Sequence, residues 1–319
     1  VSLVEKALQK MQASDRARKP TLPAPPAPVG QVVAPSRGVR RAEPASPPRV
    51  LNPEKLVKVD RDALRATGLL PPVDQERELA DQYRAIKRPL IQAAFYSEPP
   101  AGSPPPQLIM IGSALPGDGK TFTGINLAFS MAREKDHSVI LVDGDVIKPH
   151  VSKLFGIDKE PGLLDALRNP ATDITSLVLP TDIPGLSLLP SGVPTETATE
   201  LLASDRMAQI VDQLSQINPR GIVLFDSLPI LLTSEARVLT TLMGQIVLVV
   251  KAGATTQQAV TDALAAIGPD KKVWLVLNQA ELSGPLGYYY GYRYGYRSHG
   301  QAGDAAEEPR AAGASAAGG

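Results

Sequence analysis

Cysteine is absent from the 319-residue chain, so neither a disulfide nor a thiolate metal site can be built from it. Net charge is absent too. Thirty-three Lys+Arg balance 33 Asp+Glu, and a chain without basic excess is a poor general nucleic-acid binder. No apolar run approaches the roughly 18–20 residues that a membrane span needs. The longest, such as IVLVV at 246–250, are strand-sized. The N-terminus shows no signal-peptide h-region. These absences lead us to expect a soluble cytoplasmic protein. Aromatic residues make up only 4% of the chain, with eight tyrosines, yet six of those tyrosines lie within 288–296. What is present in quantity is a 43% hydrophobic fraction, enough for one or two globular domains.

Composition divides the chain. SLVEKALQKM (2–11) has a candidate capping serine and places Leu3, Ala7, Leu8 and Met11 on one helical face. A helix over 1–12 is expected, either frayed or docking a partner. A Pro/Ala-rich linker follows over 13–73, too poor in periodic apolar residues to offset chain entropy. The stretch 74–95 reads as a helix with Leu79, Tyr83, Ile86 and Leu90 on one side and Asp81, Arg84, Lys87 and Arg88 on another. Pro89 should kink or divide it. From Leu108, Val/Ile/Leu runs alternate with helical patterns as far as KVWLVLN (272–278). The fold class expected is α/β, a mostly parallel sheet with helices on both faces. The main domain is placed at 74–283, with 74–98 as its leading helix, and a low-complexity, disordered tail at 284–319.

ALPGDGKT (114–121) lies between the first strand and the first helix of this alternation. It matches the phosphate-binding P-loop pattern, with Ala114 for the first glycine, followed by Leu115, Pro116, Gly117, Asp118, Gly119, Lys120 and Thr121. Glycines let backbone amides turn toward phosphate oxygens, and the helix N-terminus adds positive potential. Lys120 would reach the β- and γ-phosphates of ATP, and the Thr121 hydroxyl would ligate Mg²⁺.

Asp143 and Asp145 end the second strand, and Asp226 ends another. Ligands of open α/β sheets sit beyond the carboxyl ends of strands, so all three should gather at the P-loop edge. One acid there commonly holds the metal and another accepts a proton. A lone strand-end aspartate is more often a cap or turn residue, but three in a P-loop chain reverse that expectation. Asn278, ending the last strand, either reads the nucleobase or turns the chain.

The P-loop stretch, VILVDGDVIKPHVSKLFGI, IVLFDSLPILLTSEARVL and the tyrosine-rich tail together resemble the bacterial tyrosine kinases, most nearly the exosortase-associated autokinases of exopolysaccharide clusters. The resemblance runs over most of 74–296 and the 2–11 start. It implies a P-loop fold of the ParA/MinD-like branch, with Walker A at 114–121, Asp143 and Asp145 in Walker A′, and Asp226 in Walker B. The catalytic group would be Lys120, Asp143 and Asp145, with Asp143 as the base. The metal set would be Thr121, Asp145 and Asp226. The phosphoacceptors would be Tyr288, Tyr289, Tyr290, Tyr292, Tyr294 and Tyr296, modified in trans by a neighbouring subunit.

The family's Glu-x-x-Arg-x-x-Arg ring motif corresponds to Asp81, Arg84 and Lys87, which otherwise make an ordinary solvated row. The resemblance further implies a ring-like homo-oligomer, an activating membrane polysaccharide co-polymerase on a separate chain, a tyrosine phosphatase, and recruitment to the inner face of the membrane. Three positions depart from the pattern: Leu115 stands where ParA/MinD ATPases carry a signature lysine, Ile147 where many of these kinases have arginine, and Leu228 for a proline. The competing expectation is a ParA/MinD-like ATPase switch, against which Leu115 and the tail speak. A non-catalytic aromatic binding module suits neither the neutral charge nor the complete P-loop.

Overall fold

The computed structural model describes residues 55–280. Seven strands form one sheet: β1 (Leu108–Ser113), β2 (Ser138–Asp143), β3 (Leu179–Pro180), β4 (Leu186–Leu189), β5 (Gly221–Asp226), β6 (Gln245–Lys251) and β7 (Lys272–Asn278), in the order β3-β4-β2-β5-β1-β6-β7. Every pairing is parallel except β3 with β4. The helices are α1 (Arg61–Ala66), α2 (Glu76–Phe95), α3 (Lys120–Ala132), α4 (His150–Leu154), α5 (Leu163–Arg168), α6 (Ala198–Leu202), α7 (Asp205–Gln216), α8 (Ser234–Leu242) and α9 (Gln257–Ile267).

The central strand shows why the apolar runs are continuous. All four of Leu108, Ile109, Met110 and Ile111 are fully buried, but they alternate between two cores. Leu108 and Met110 join Phe225, Leu248 and the α5–α9 side chains. Ile109 and Ile111 join Leu224, Val249 and residues of α1, α2 and α3. A strand covered on both faces has no polar face to show in its sequence.

Four local expectations are corrected. The linker does not extend to 73, because from residue 55 the chain is folded. Val57 donates to Pro180 O (2.9 Å) and accepts from Asp182 N (3.1 Å), adding a parallel bridge to Thr181. Asp60 caps α1, and Leu64 and Leu70 are buried. Pro89 does not divide α2, which runs unbroken for 20 residues. The hydrogen bond that proline removes is outweighed by the buried face of Tyr83, Leu90, Ala93 and Ala94. The residues 198–217, whose sequence reads as helical throughout, form two helices, α6 and α7. Ser204 bonds back to Leu201 O through both its N–H (3.2 Å) and its hydroxyl (2.6 Å), then turns extended to start α7.

Lastly, Lys87 is not part of an exposed charged row. It is buried, donating to Ser130 O (2.6 Å) and pairing with Glu134 (2.7 Å), so it fastens α2 to the end of α3. Asp81 and Arg84 do remain exposed and pair with each other at 2.5 Å.

Candidate active site

The loop between β1 and α3 is built from within. Ser113 Oγ donates to Leu115 O (2.6 Å), and Leu115 N donates to Asp118 Oδ2 (3.1 Å). Ala114 is buried, Leu115 packs partly on the core, and Pro116 is exposed. Gly117 and Gly119 adopt φ of 82° and 95°, a region that favours glycine. A Cβ on Gly117 would meet nothing, so that side of the loop is open. One on Gly119 would lie 2.0 Å from Asn278 Nδ2. Lys120 and Thr121 begin α3, where unpaired helix amides face outward.

Parallel pairing of β2 with β5 sets Asp143 opposite Asp226. Gly144 N donates to Asp226 O (2.8 Å), a contact a side chain at 144 would obstruct. Thr121 Oγ1 donates to Asp226 Oδ2 (2.7 Å), joining the P-loop helix to the strand-end acid. Asp143 Oδ2 accepts from both the N–H and the hydroxyl of Ser152, each at 2.7 Å. The other oxygens, Asp143 Oδ1 and Asp226 Oδ1, are buried without a partner.

Burial governs the electrostatics. It pushes Asp226 up to about 7 against the Thr121 hydrogen bond, with Asp143 adding repulsion. It pushes Asp143 up to about 6 against the Ser152 bonds. Asp145 is partly exposed, accepts from Lys148 N (2.8 Å), and is raised by burial while Lys120 and His150 oppose. The expected grouping of Lys120, Thr121, Asp143, Asp145 and Asp226 is therefore present at one sheet edge.

Two buried carboxylate oxygens without partners beside a threonine hydroxyl suit a hard, oxygen-seeking cation. Among the described residues no group of three or more metal-ligating side chains gathers into a cage. Mg²⁺ needs none where one or two side chains and substrate phosphates complete its shell. Thr121, Asp226 and Asp145 fit that part.

Asn278, at the end of β7, reaches the phosphate loop itself. Its Nδ2 donates to Asp118 O (2.9 Å), bracing the loop. Sequence reasoning missed Ser152 and Thr255. Ser152 sits in the short α4 with no motif around it, and Thr255 looks like one of two helix-capping threonines before α9. The tyrosine cluster, the 1–12 helix and the linker up to residue 54 lie outside the described residues.

No family model matches the sequence. The tyrosine-protein kinase YwqD of Bacillus subtilis is 31% identical over 186 residues, covering 57% of this chain and 77% of YwqD. The chain belongs to the bacterial tyrosine-protein kinase family. A longer relative is the tyrosine-protein kinase ptk of Acinetobacter johnsonii, 29% identical over 177 residues, 56% of this chain and 22% of ptk. This family member thus spans about a fifth of the first relatives it matches. Among solved structures, the kinase domain of the Escherichia coli tyrosine kinase ETK is 25% identical with a TM-score of 0.53, covering 64% of this chain and 78% of that one. The P-loop kinase fold is shared.

Proposed function

We propose that this chain is an ATP-dependent protein tyrosine kinase that phosphorylates its own tyrosine cluster in trans. The observation that carries the reading is the junction beneath the P-loop: Thr121 bonded to Asp226, with two buried carboxylate oxygens left over on adjacent strands. In the reaction a tyrosine phenol oxygen bonds to the γ-phosphorus, the bond to the β–γ bridging oxygen breaks, ADP leaves, and the phenol proton passes to a carboxylate. Loop amides and Lys120 hold the phosphates. Asp143 Oδ1 is the free acceptor for the proton, and a value near 6 suits that task close to neutrality. Because Asp143 is fully buried, the turn after β2 must shift for a phenol to reach it. Mg²⁺, when bound, supplies charge that neutralises the phosphates.

Kinship supports a wider setting: a ring-like homo-oligomer, recruited to the inner membrane face by a polysaccharide co-polymerase on a separate chain and opposed by a phosphatase. There it would regulate exopolysaccharide or capsule polymerisation or export. Among the described residues no helix is long and apolar enough to cross a membrane.

The test is incubation of the purified chain with MgATP, with phosphate mapped by mass spectrometry. Lys120→Ala and Asp143→Asn should each lose tyrosine phosphorylation while keeping the wild-type circular dichroism spectrum. Wild-type phosphotyrosine in Lys120→Ala, with contaminating kinases excluded, would overturn the enzyme reading.

A further inference from the structure

We infer that Asp118, Thr255 and Asn278 form a clamp that sets the shape of the phosphate-binding loop, and that Asn278 acts on nucleotide through the loop's backbone instead of through the base. The inference rests on the loop being a phosphate site. A glycine-rich loop is soft, and its amides serve a phosphate only if something holds them in place. Asp118 is almost fully buried, and each of its oxygens is used. Oδ2 accepts from Leu115 N (3.1 Å), closing the loop on itself. Oδ1 accepts from Thr255 Oγ1 (2.7 Å), and that hydroxyl accepts from Lys251 N (3.0 Å) at the end of β6. The Asp118 carbonyl accepts from Asn278 Nδ2 (2.9 Å) at the end of β7.

Asn278 is itself fixed. Its carbonyl accepts from Ala252 N (2.9 Å), and the chain then turns at Gln279, the one non-glycine with positive φ (55°) among the described residues. Gly119 completes the fit, since any Cβ there would occupy the space of the Asn278 amide. Two neighbouring strand ends thus grip one loop residue from both its side chain and its backbone. Thr255 and Asn278 are positioning residues: they reach the phosphates only through Asp118.

A ligand without a base separates this account from base reading. Equilibrium binding of the full-length protein to magnesium tripolyphosphate, MgADP and MgGDP would be measured for wild type and variants. Asn278→Ala should weaken all three by a similar factor, about tenfold for a lost charge-free hydrogen bond in a preorganised loop. Thr255→Val should do the same, Thr255→Ser should restore wild-type affinity, and the double variant should lose less than the product of the two because both act through Asp118. If Asn278→Ala binds tripolyphosphate as wild type does, the clamp is wrong, whatever happens to ADP and GDP. Should Thr255→Val fail to fold, Asn278→Ala and Thr255→Ser decide the matter alone. The loop assignment has its own control. Tripolyphosphate bound by wild type and lost in Lys120→Ala upholds the phosphate site even if the clamp fails. No binding by wild type sinks both.

Discussion

Burial raises Asp226 to about 7 and Asp143 to about 6, and both act on stability in one direction. From the free value of 3.8, a higher folded value means that the folded chain holds the proton more tightly. The stability this contributes is full below about pH 4 and is lost as pH rises through 6 and 7. The protein without nucleotide should therefore melt at a lower temperature at pH 8 than at pH 5. Asp226→Asn, which keeps the shape without the titration, should flatten that decline. Mg²⁺ with ADP should raise the melting temperature more at pH 8, where the carboxylates are ionised, than at pH 5. Scanning fluorimetry across this range checks both statements. A slope untouched by Asp226→Asn would mean that other groups set it.

At the scale of elements, α2 has two separate duties that one charged row concealed. Lys87 ties α2 to α3 through Ser130 O and Glu134, whereas Asp81 and Arg84 stay exposed. Lys87→Ala removes a part-buried hydrogen bond to Ser130 O together with the Glu134 pair and should cost about 1–2 kcal/mol in urea unfolding. Asp81→Ala with Arg84→Ala should leave stability within about 0.5 kcal/mol, as exposed pairs do, yet lower the oligomer mass in light scattering if that surface is the ring contact. An unchanged mass would leave the pair as ordinary surface charge. The i,i+3 spacing was legible in the sequence; which member turned inward was not, since that depends on where α3 lies. The same division holds elsewhere. Strands β1, β2, β4, β5, β6 and β7 were legible because their apolar runs are long, and Lys120, Asp143 and Asp226 because strand ends converge in any such sheet. Helix α1 was hidden because it is six residues long and buries one apolar residue, Leu64. The Asn278–Asp118 bond joins residues 160 apart, and no local pattern encodes it.

At the scale of the whole molecule, the proposed reaction has two routes for the tyrosines, into the active site of their own chain or into a neighbour's. The strand order puts the Asp143–Asp226 junction three to four strand spacings from β7, roughly 15–19 Å. Seven residues separate Ala280 from Tyr288, and the eight Cα–Cα steps between the two span at most about 29 Å when extended. Length alone therefore permits transfer within one chain, and trans transfer has to rest on assembly. Each phosphate adds about −1.5 to −2 charge near pH 7, so several would overwhelm Arg293 and Arg297 and turn the segment strongly acidic. Asp143, Asp145 and Asp226 would then repel it, and any interface stabilised by seated tails would weaken. We therefore expect phosphorylated protein to be less oligomeric than unphosphorylated protein, and replacement of all six clustered tyrosines by phenylalanine to uncouple ATP from that change. Mixing Lys120→Ala protein, tail intact, with wild type should label the variant's tyrosines. The comparison is phosphate on each chain by mass, together with oligomer size before and after ATP. If label appears only on the wild-type chain, transfer occurs within one chain, and the link between phosphorylation and disassembly loses its basis.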